Sequence, residues 1–142
     1  MGEIFEERRR FTRYPIYCPT QYKCEDSTPR DSAITMNMSE GGGLIAIRRD
    51  ISVDSGLIFR FYFKQQEFLI RSRVVHVQHG LENGLYNIGV EFLEKSPDFT
   101  LNFYDEIEAV MLLQRKIKEA RGQDVTMAEA SMKWYSDAPG WQ

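Results

Sequence analysis

The sequence predicts a mainly β protein, a small antiparallel barrel or sandwich of six strands followed by one long and one short helix. Three observations support this fold class. Segments rich in β-forming residues are separated by turn signals at regular spacing up to about residue 95. Beyond that point the apolar residues recur at steps of three and four, which is typical of a helix. The chain has 142 residues, 42% of them apolar and 27% charged, which fits one soluble domain with a single core.

Six segments have the composition of strands. The segment 57–64 has the clearest alternation, since every second side chain is large and apolar. Those inward-facing residues are Leu57, Phe59, Phe61 and Phe63. Pro19 lies inside the first segment, so an edge position or a bulge is expected there. The predicted strands are 16–25, 32–36, 43–48, 57–64, 68–78 and 86–92.

Two helices are predicted after the strands. Ser96 and the proline after it form a start signal, and Gly122 ends the helix. The apolar stripe of this helix should pack on the barrel or on a second copy of the helix, so a homodimer through the helix stays open. The stripe consists of Phe103, Ile107, Val110, Leu113 and Ile117. Thr126 and Glu129 form a capping box for a second helix that ends near residue 135.

The same patterns divide the chain into four parts. Residues 1–15 are expected to form a flexible N-terminal arm, because they carry a charge run and no strand pattern. The barrel should then occupy residues 16–95 and the helical segment residues 96–136. Residues 137–142 are expected to be a frayed tail.

Composition and charge exclude several classes of protein. No apolar run approaches the ~20 residues of a membrane-spanning helix, and the first residues do not resemble a signal peptide. The net charge of −3 argues against general nucleic-acid binding. Cys18 and Cys24 would lie about 20 Å apart on one strand, which is too far for a disulfide. Reduced cysteines predict a cytoplasmic protein.

A glycine-rich stretch follows the second predicted strand. Three consecutive glycines, residues 41–43, predict a tight turn or a backbone that lies close against something. Asn37 and Ser39 precede them two residues apart, so an extended backbone would point both side chains to the same face. The stretch therefore offers an amide, a hydroxyl and bare backbone N–H groups to a ligand.

A cluster of arginines lies near the N-terminus. Arg8, Arg9, Arg10 and Arg13 place four guanidinium groups within six residues. Such a charge run is either a solvated terminus or an arm that closes over an anionic ligand. Guanidinium groups suit phosphate and the O6/N7 edge of guanine, so the second interpretation predicts a phosphate- or guanine-containing ligand.

Together the two stretches resemble the motifs of the PilZ domain family, the bacterial receptors for cyclic di-GMP. Arg9-x-x-x-Arg13 matches the first motif, and Asn37-x-Ser39-x-x-Gly42 matches the second. The segment 86–92 is similar to the closing strand of PilZ barrels, so the resemblance covers roughly residues 7–93. It implies a six-stranded antiparallel PilZ-type β-barrel with a C-terminal helix and cyclic di-GMP as the ligand.

The resemblance also implies roles for individual residues. Arg9 and Arg13 would bind phosphate and guanine and stack on the purine, with Arg8 and Arg10 adding positive charge around them. Asn37 and Ser39 would orient one guanine, although many members have aspartate where this chain has Asn37. At Gly42 the backbone would come close where a side chain would collide. These assignments describe a ligand on the outer barrel surface, with the arm folding over it.

His76 has two interpretations. Some family members carry an aromatic residue or an arginine near the end of the fifth strand that stacks on the ligand, and the resemblance assigns that place to His76. Strict alternation instead puts His76 on the same face as Phe68, Ile70 and Val74, which would make it a core histidine.

The sequence predicts no enzyme. His76 and His79 have no carboxylate cluster or cysteine at ligand spacing, so a metal site is not expected. Ser39 is not in the Gly-x-Ser-x-Gly turn of hydrolases, and no Lys-Ser or Lys-Thr follows the three glycines as in a P-loop.

Three functional hypotheses remain. The first is a cyclic di-GMP receptor or adaptor whose arm rearranges on binding and signals to an unidentified downstream protein. The second is a PilZ-like protein–protein interaction module that does not bind the nucleotide. The third is a single-strand nucleic-acid binder that uses the arginines with Phe11 and Tyr14 as stacking platforms, against which the net charge counts.

Overall fold

The computed structural model describes residues 11–25, 30–64, 66–79 and 84–137. Most of the expected arm, including Arg8, Arg9 and Arg10, lies outside the described residues, as does most of the expected tail. The structural statements below concern the described ranges.

Six antiparallel strands form a closed barrel in the order β1-β2-β3-β6-β5-β4, so the fold class expected from the sequence is confirmed. Closure depends on β1, which pairs with both β2 and β4 and places Thr20 opposite Phe61. The strands are β1 (Pro19–Cys24), β2 (Asp31–Ser39), β3 (Gly42–Ile47), β4 (Gly56–Tyr62), β5 (Glu67–Gln78) and β6 (Tyr86–Phe92).

Pro19 does not mark an edge or a bulge, contrary to the expectation. It is the first residue of β1 and pairs only with Ile34 of β2, whereas pairing with β4 begins one residue later. A proline at the start of a strand has no N–H to contribute and removes little from the ladder. Cys18 and Cys24 are both free thiols, the first of them buried.

Two register shifts interrupt the ladders. One lies in β2 between Thr35 and Asn37, and the other lies in β5 between Val74 and His76. An extra residue at such a bulge resets the alternation, so the side chains beyond it change face relative to a regular strand. Both shifts affect residues that the sequence singled out for ligand binding.

The long helix α1 (Pro97–Arg121) closes one end of the barrel. Ser96 caps it by accepting the Phe99 N–H at 3.1 Å, and Gly122 ends it at φ 68°. Phe99 is fully buried, and its ring meets aromatic rings from three neighbouring strands and the residue after β4. Those rings are Phe61, Phe63, Phe68 and Phe92, at centroid distances of 5.5–6.4 Å. The predicted start and end of α1 are therefore confirmed. Of the predicted apolar stripe, Phe103, Ile107 and Val110 belong to the hydrophobic core, whereas Ile117 is buried outside that core cluster and Leu113 is only partly buried.

The short helix α2 (Met127–Trp134) begins with the predicted capping box of Thr126 and Glu129. It is held to the rest of the domain by the buried carboxyl group of Glu106 in α1, which is 4% exposed. One oxygen of Glu106 accepts three hydrogen bonds: from the Tyr135 hydroxyl at 2.5 Å, the Trp134 indole N–H at 3.2 Å and the Lys64 backbone N–H at 3.2 Å. A single side chain thus joins α1, α2 and the end of β4.

Two features are absent from the described residues. No helix in ranges 11–25, 30–64, 66–79 and 84–137 is long and apolar enough to cross a membrane. The same ranges contain no group of three or more His, Cys, Asp or Glu side chains arranged to hold a metal ion.

Candidate functional site

A cavity of about 460 Å³ lies on the outer face of the barrel, where β3, β6 and β5 run side by side. Its volume is within the range of small-molecule sites, roughly 300–1,000 Å³. The walls come from the described end of the N-terminal arm, the β2–β3 turn, β5, β6 and the segment after β6. The lining residues used below are Phe11, Arg13, Ser39, Gly42, Leu44, His76, Gly89, Glu91 and Lys95.

One row of cross-strand partners runs along the floor of this cavity and ends beside it at Asn37. Asn37 pairs with Leu44, Leu44 with Gly89, and Gly89 with His76. Directly opposed residues point to the same face of a sheet, so all four face outward. Three strand spacings separate the ends of the row, about 14 Å. Because Gly89 has no side chain, the row is open between Leu44 and His76.

His76 faces the cavity and not the core. Val74 is fully buried, the register shift follows it, and His76 is exposed. Val77 then packs against the core as a partly buried residue. The bulge therefore overturns the interpretation of His76 as a core histidine, which assumed unbroken alternation, and it leaves the ring at the cavity.

Asn37 lies at the other end of the row, beside the cavity and next to Leu44, which lines it. Its Oδ1 atom is buried, and no hydrogen-bond partner for it exists among the described residues. A buried acceptor without a donor costs about 1–3 kcal/mol, so this oxygen suits a donor supplied from outside the chain.

Ser39 lines the cavity, but its hydroxyl group also shapes the turn. The Oγ atom donates to the Gly42 carbonyl at 3.3 Å and accepts the Gly41 N–H at 3.2 Å. Ser39 pairs with Gly42, so Glu40 and Gly41 form a two-residue turn between β2 and β3. The expected contact of Ser39 with a guanine stays a prediction.

The glycines are needed because the strands approach each other closely. A Cβ atom on Gly42 would lie 2.1 Å from the Val90 carbonyl oxygen, and one on Gly43 would lie 2.7 Å from the Asn37 carbonyl oxygen. The positive-φ glycines of the described ranges are Gly84 and Gly122 instead. The predicted close backbone approach at Gly42 therefore occurs within the barrel, and its role toward a ligand stays a prediction.

The described end of the arm is fixed beside the site. Tyr14 donates its N–H to the Met38 carbonyl at 2.8 Å and accepts the Met38 N–H at 2.9 Å. This bridge lies next to the bulge that positions Asn37, and it places Arg13 in the cavity wall with an exposed side chain. The structure thus brings Arg13, Ser39, Gly42 and His76 together in the lining, with Asn37 adjacent. Arg8, Arg9 and Arg10 are outside the described residues.

Sequence reasoning missed Lys95 and gave Phe11 no part in the PilZ site. The Phe11 ring packs on the β2–β3 turn, where a Cβ atom on Gly41 would lie 2.7 Å from it. The Lys95 ammonium lies 5.1 Å from the centroid of that ring and 3.9 Å from a carboxylate oxygen of Glu40. The sequence did contain an indication that Phe11 belongs to the site, because Phe11 lies between the two motif arginines. Lys95 lies in neither motif, so only its position in space identifies it.

Glu40 also connects the turn to α1. Its second carboxylate oxygen accepts the Tyr104 hydroxyl at 2.9 Å. Burial, together with this hydrogen bond to a carboxylate, raises the pKa of Tyr104 to about 12.

Among the lining residues, Glu91 contributes a carboxylate that is partly compensated by Arg73 at 3.4 Å.

Comparisons with known proteins identify the family and the fold. Residues 7–103 match the family model described as the PilZ domain. Solved structures similar to the chain include the PilZ domain of YcgR from Escherichia coli with c-di-GMP (14% identity, TM-score 0.58) and a K. pneumonia MrkH–c-di-GMP complex (16% identity, TM-score 0.56). The Bacillus subtilis inhibitor of motility MotI is also similar (13% identity, TM-score 0.58).

The similarity covers 82% of this chain for YcgR and MrkH and 66% for MotI. This chain spans 98% of the YcgR domain chain, but only 55% of MrkH and 46% of MotI. No curated protein sequence is significantly similar to the chain. The family model covers well over half of the sequence, and the similar structures share the six-stranded barrel. The chain belongs to the PilZ domain family.

Proposed function

We propose that the protein is a cyclic di-GMP receptor or adaptor of the bacterial cytoplasm, without catalytic activity, that signals to a downstream protein. One observation carries this proposal. Arg13, His76 and the unpartnered oxygen of Asn37 converge on one outer face of the barrel, around a cavity of about 460 Å³. PilZ family membership and the similar YcgR and MrkH structures with c-di-GMP support the same ligand.

Each group has a chemical task in this proposal. Arg13 binds phosphate or the guanine edge through charge-assisted hydrogen bonds, and Arg9 joins it. Arg9 lies four positions before Arg13, so their Cα atoms are at most about 14 Å apart, which keeps Arg9 within reach of the cavity. The Asn37 oxygen accepts from the N–H groups of a guanine, which gives that buried acceptor its missing donor. His76 stacks on the purine from the opposite end of the row.

The experiment is calorimetric titration of the protein with cyclic di-GMP. Arg13→Ala and Asn37→Ala should each remove one important hydrogen-bonding group. Loss of a charge-assisted bond costs about 1.5–3 kcal/mol, so Arg13→Ala should weaken binding by about 10- to 150-fold. Arg115→Ala, which removes an exposed arginine of α1 remote from the motifs, serves as the matched control and should bind as the wild type does.

Thermal unfolding provides an independent readout. Ligand at 100 times its dissociation constant should stabilise the wild-type fold by about 2.7 kcal/mol. Absence of both heat and stabilisation with the wild type would contradict the proposal. Wild-type affinity in Arg13→Ala would instead remove the arm from the mechanism.

A second candidate function is a PilZ-like interaction module that does not bind the nucleotide. The outward face of α1 favours it, because four large apolar side chains there are between 36% and 66% exposed. They are Leu101, Tyr104, Met111 and Leu112. The first half of α1 is mostly acidic and the second half mostly basic, so two copies in antiparallel contact would have complementary charges.

Sedimentation of the wild type and Leu112→Glu tests that second candidate. A dimer that Leu112→Glu dissociates, in a protein with no response to cyclic di-GMP, would favour the interaction module. A monomer that responds to cyclic di-GMP would favour the receptor.

A further inference from the structure

We propose that Lys95, which lies in neither sequence motif, binds a phosphate of the ligand and completes the cationic wall of the cavity. The inference rests on the proposed function, because it assigns a further contact in the same site. Lys95 follows β6 and precedes the Ser96 cap of α1, so ordered structure fixes its backbone on both sides. Its side chain is 24% exposed and lines the same cavity as Arg13.

Lys95 is next to the arm. Phe11 lies between Arg9 and Arg13 in the sequence, and its ring centroid is 5.1 Å from the Lys95 ammonium. The same ring contacts the glycine turn at Gly41. An anion that Arg13 binds in this cavity therefore also meets the Lys95 charge.

The present partner of Lys95 holds it weakly. A strong charge-assisted N–H···O bond measures about 2.7–2.9 Å, whereas Lys95 Nζ is 3.9 Å from the nearest Glu40 oxygen. The other Glu40 oxygen is engaged by the Tyr104 hydroxyl at 2.9 Å. The ammonium group can therefore turn from Glu40 to a phosphate without leaving Glu40 unpaired. An ammonium on a flexible stem suits this exchange, since it binds phosphate as a compact charge with three rotatable donors.

Charge balance favours the same assignment. Cyclic di-GMP carries two negative charges, and Arg13 is accompanied in the described lining by the carboxylate of Glu91. Arg73 compensates Glu91 only in part, at 3.4 Å. A second fixed cation in the wall offsets this local negative charge and favours a dianion over a neutral nucleoside.

Four proteins test the inference by titration with cyclic di-GMP at two salt concentrations: the wild type, Lys95→Met, Lys95→Arg and Glu40→Gln. Lys95→Met keeps the length of the side chain and removes the charge, so it should weaken binding about 10- to 100-fold and make the affinity less salt-dependent. Lys95→Arg should stay within about threefold of the wild type. Glu40→Gln should bind a few-fold more tightly, because the competing carboxylate charge is gone.

Lys116→Met, an exposed lysine on α1, is the matched control, and the melting temperature of each variant checks its fold. If Lys95→Met binds cyclic di-GMP as tightly as the wild type does, the inference is overturned and the proposed function stands. Equal losses in Lys95→Met and Lys95→Arg, with an unchanged salt dependence, would also overturn it, since they indicate a packing role. A wild type that does not bind would overturn the proposed function and this inference together.

Discussion

Substitution of Gly42 by alanine should damage the fold in the absence of any ligand. Gly42 is the last position of the second PilZ motif, so a lost response in such a variant would ordinarily be attributed to the nucleotide site. In the structure a Cβ atom there would lie 2.1 Å from the Val90 carbonyl oxygen, closer than real Cβ contacts come. That oxygen belongs to β6, which pairs with β3 along its whole length, so it cannot move without disturbing the ladder.

The size of the effect follows from two opposing contributions. Overpacking of a closely packed site costs about 1–3 kcal/mol, and contact with a backbone atom belongs at the upper end because no rotamer change relieves it. Alanine lowers the conformational entropy of the unfolded chain, which stabilises the folded state by about 0.4–1 kcal/mol. The net loss in the free energy of unfolding should therefore be about 2 kcal/mol, equivalent to about 8 °C in Tm for a domain of this size.

The assay is thermal and urea unfolding of the ligand-free protein, with Gly41→Ala as the control. A Cβ atom on Gly41 would lie 2.7 Å from the Phe11 ring, which is a side chain that can rotate away. Gly41→Ala should accordingly change the stability by less than about 0.5 kcal/mol. If Gly42→Ala unfolds at the wild-type temperature, the close β3–β6 contact does not explain the glycine.

Three further predictions concern the rest of the domain. Glu106→Ala should lower the free energy of unfolding by about 3 kcal/mol, because it leaves buried hydrogen-bond donors unpaired. Urea unfolding measures this loss, and an unchanged urea midpoint would contradict the role of Glu106. Burial raises the pKa of Tyr104 and of Tyr22 to about 12 from the ordinary tyrosine value of 10.0. Each group's contribution to stability is therefore complete below pH 10 and is lost between pH 10 and 12. Unfolding measured across that interval should show falling stability, less steeply in a Tyr104→Phe variant. Cys24 should react with a thiol reagent in the native protein while Cys18 stays protected, since Cys18 is buried and burial raises the pKa of its thiol. Modification of Cys18 in the folded protein would contradict this prediction.

The regular parts of the fold could be predicted because their causes are local. Alternation over residues 57–64 identified β4 and its inward-facing phenylalanines, and Ser96 and Gly122 marked both ends of α1. The capping box at Thr126 identified α2 in the same way. In each case the residue that determines the structure is within a few positions of the structure that it determines.

The interruptions could not be predicted because their causes are remote. The register shift after Val74 turns His76 outward, and it arises from the pairing of β5 with β6. β2 was expected to end at residue 36 but continues through Asn37 to Ser39, because its pairing with β3 resumes after a bulge. Lys95 reaches the cavity only because β6 and α1 bring it to the β2–β3 turn. These features depend on pairing between distant segments, which one sequence does not display.

The buried carboxyl group of Glu106 sets how short a working version of this domain can be. The family match ends at residue 103, yet the hydrogen-bond donors of Glu106 include Trp134 and Tyr135. A truncation designed from the family boundary would remove Glu106 together with these two donors and leave the Lys64 N–H without its acceptor. It would also uncover the side of the barrel near Tyr17, whose N–H bonds to Ser131. Expression and fusion designs should therefore keep the polypeptide through residue 135 and place any junction after it.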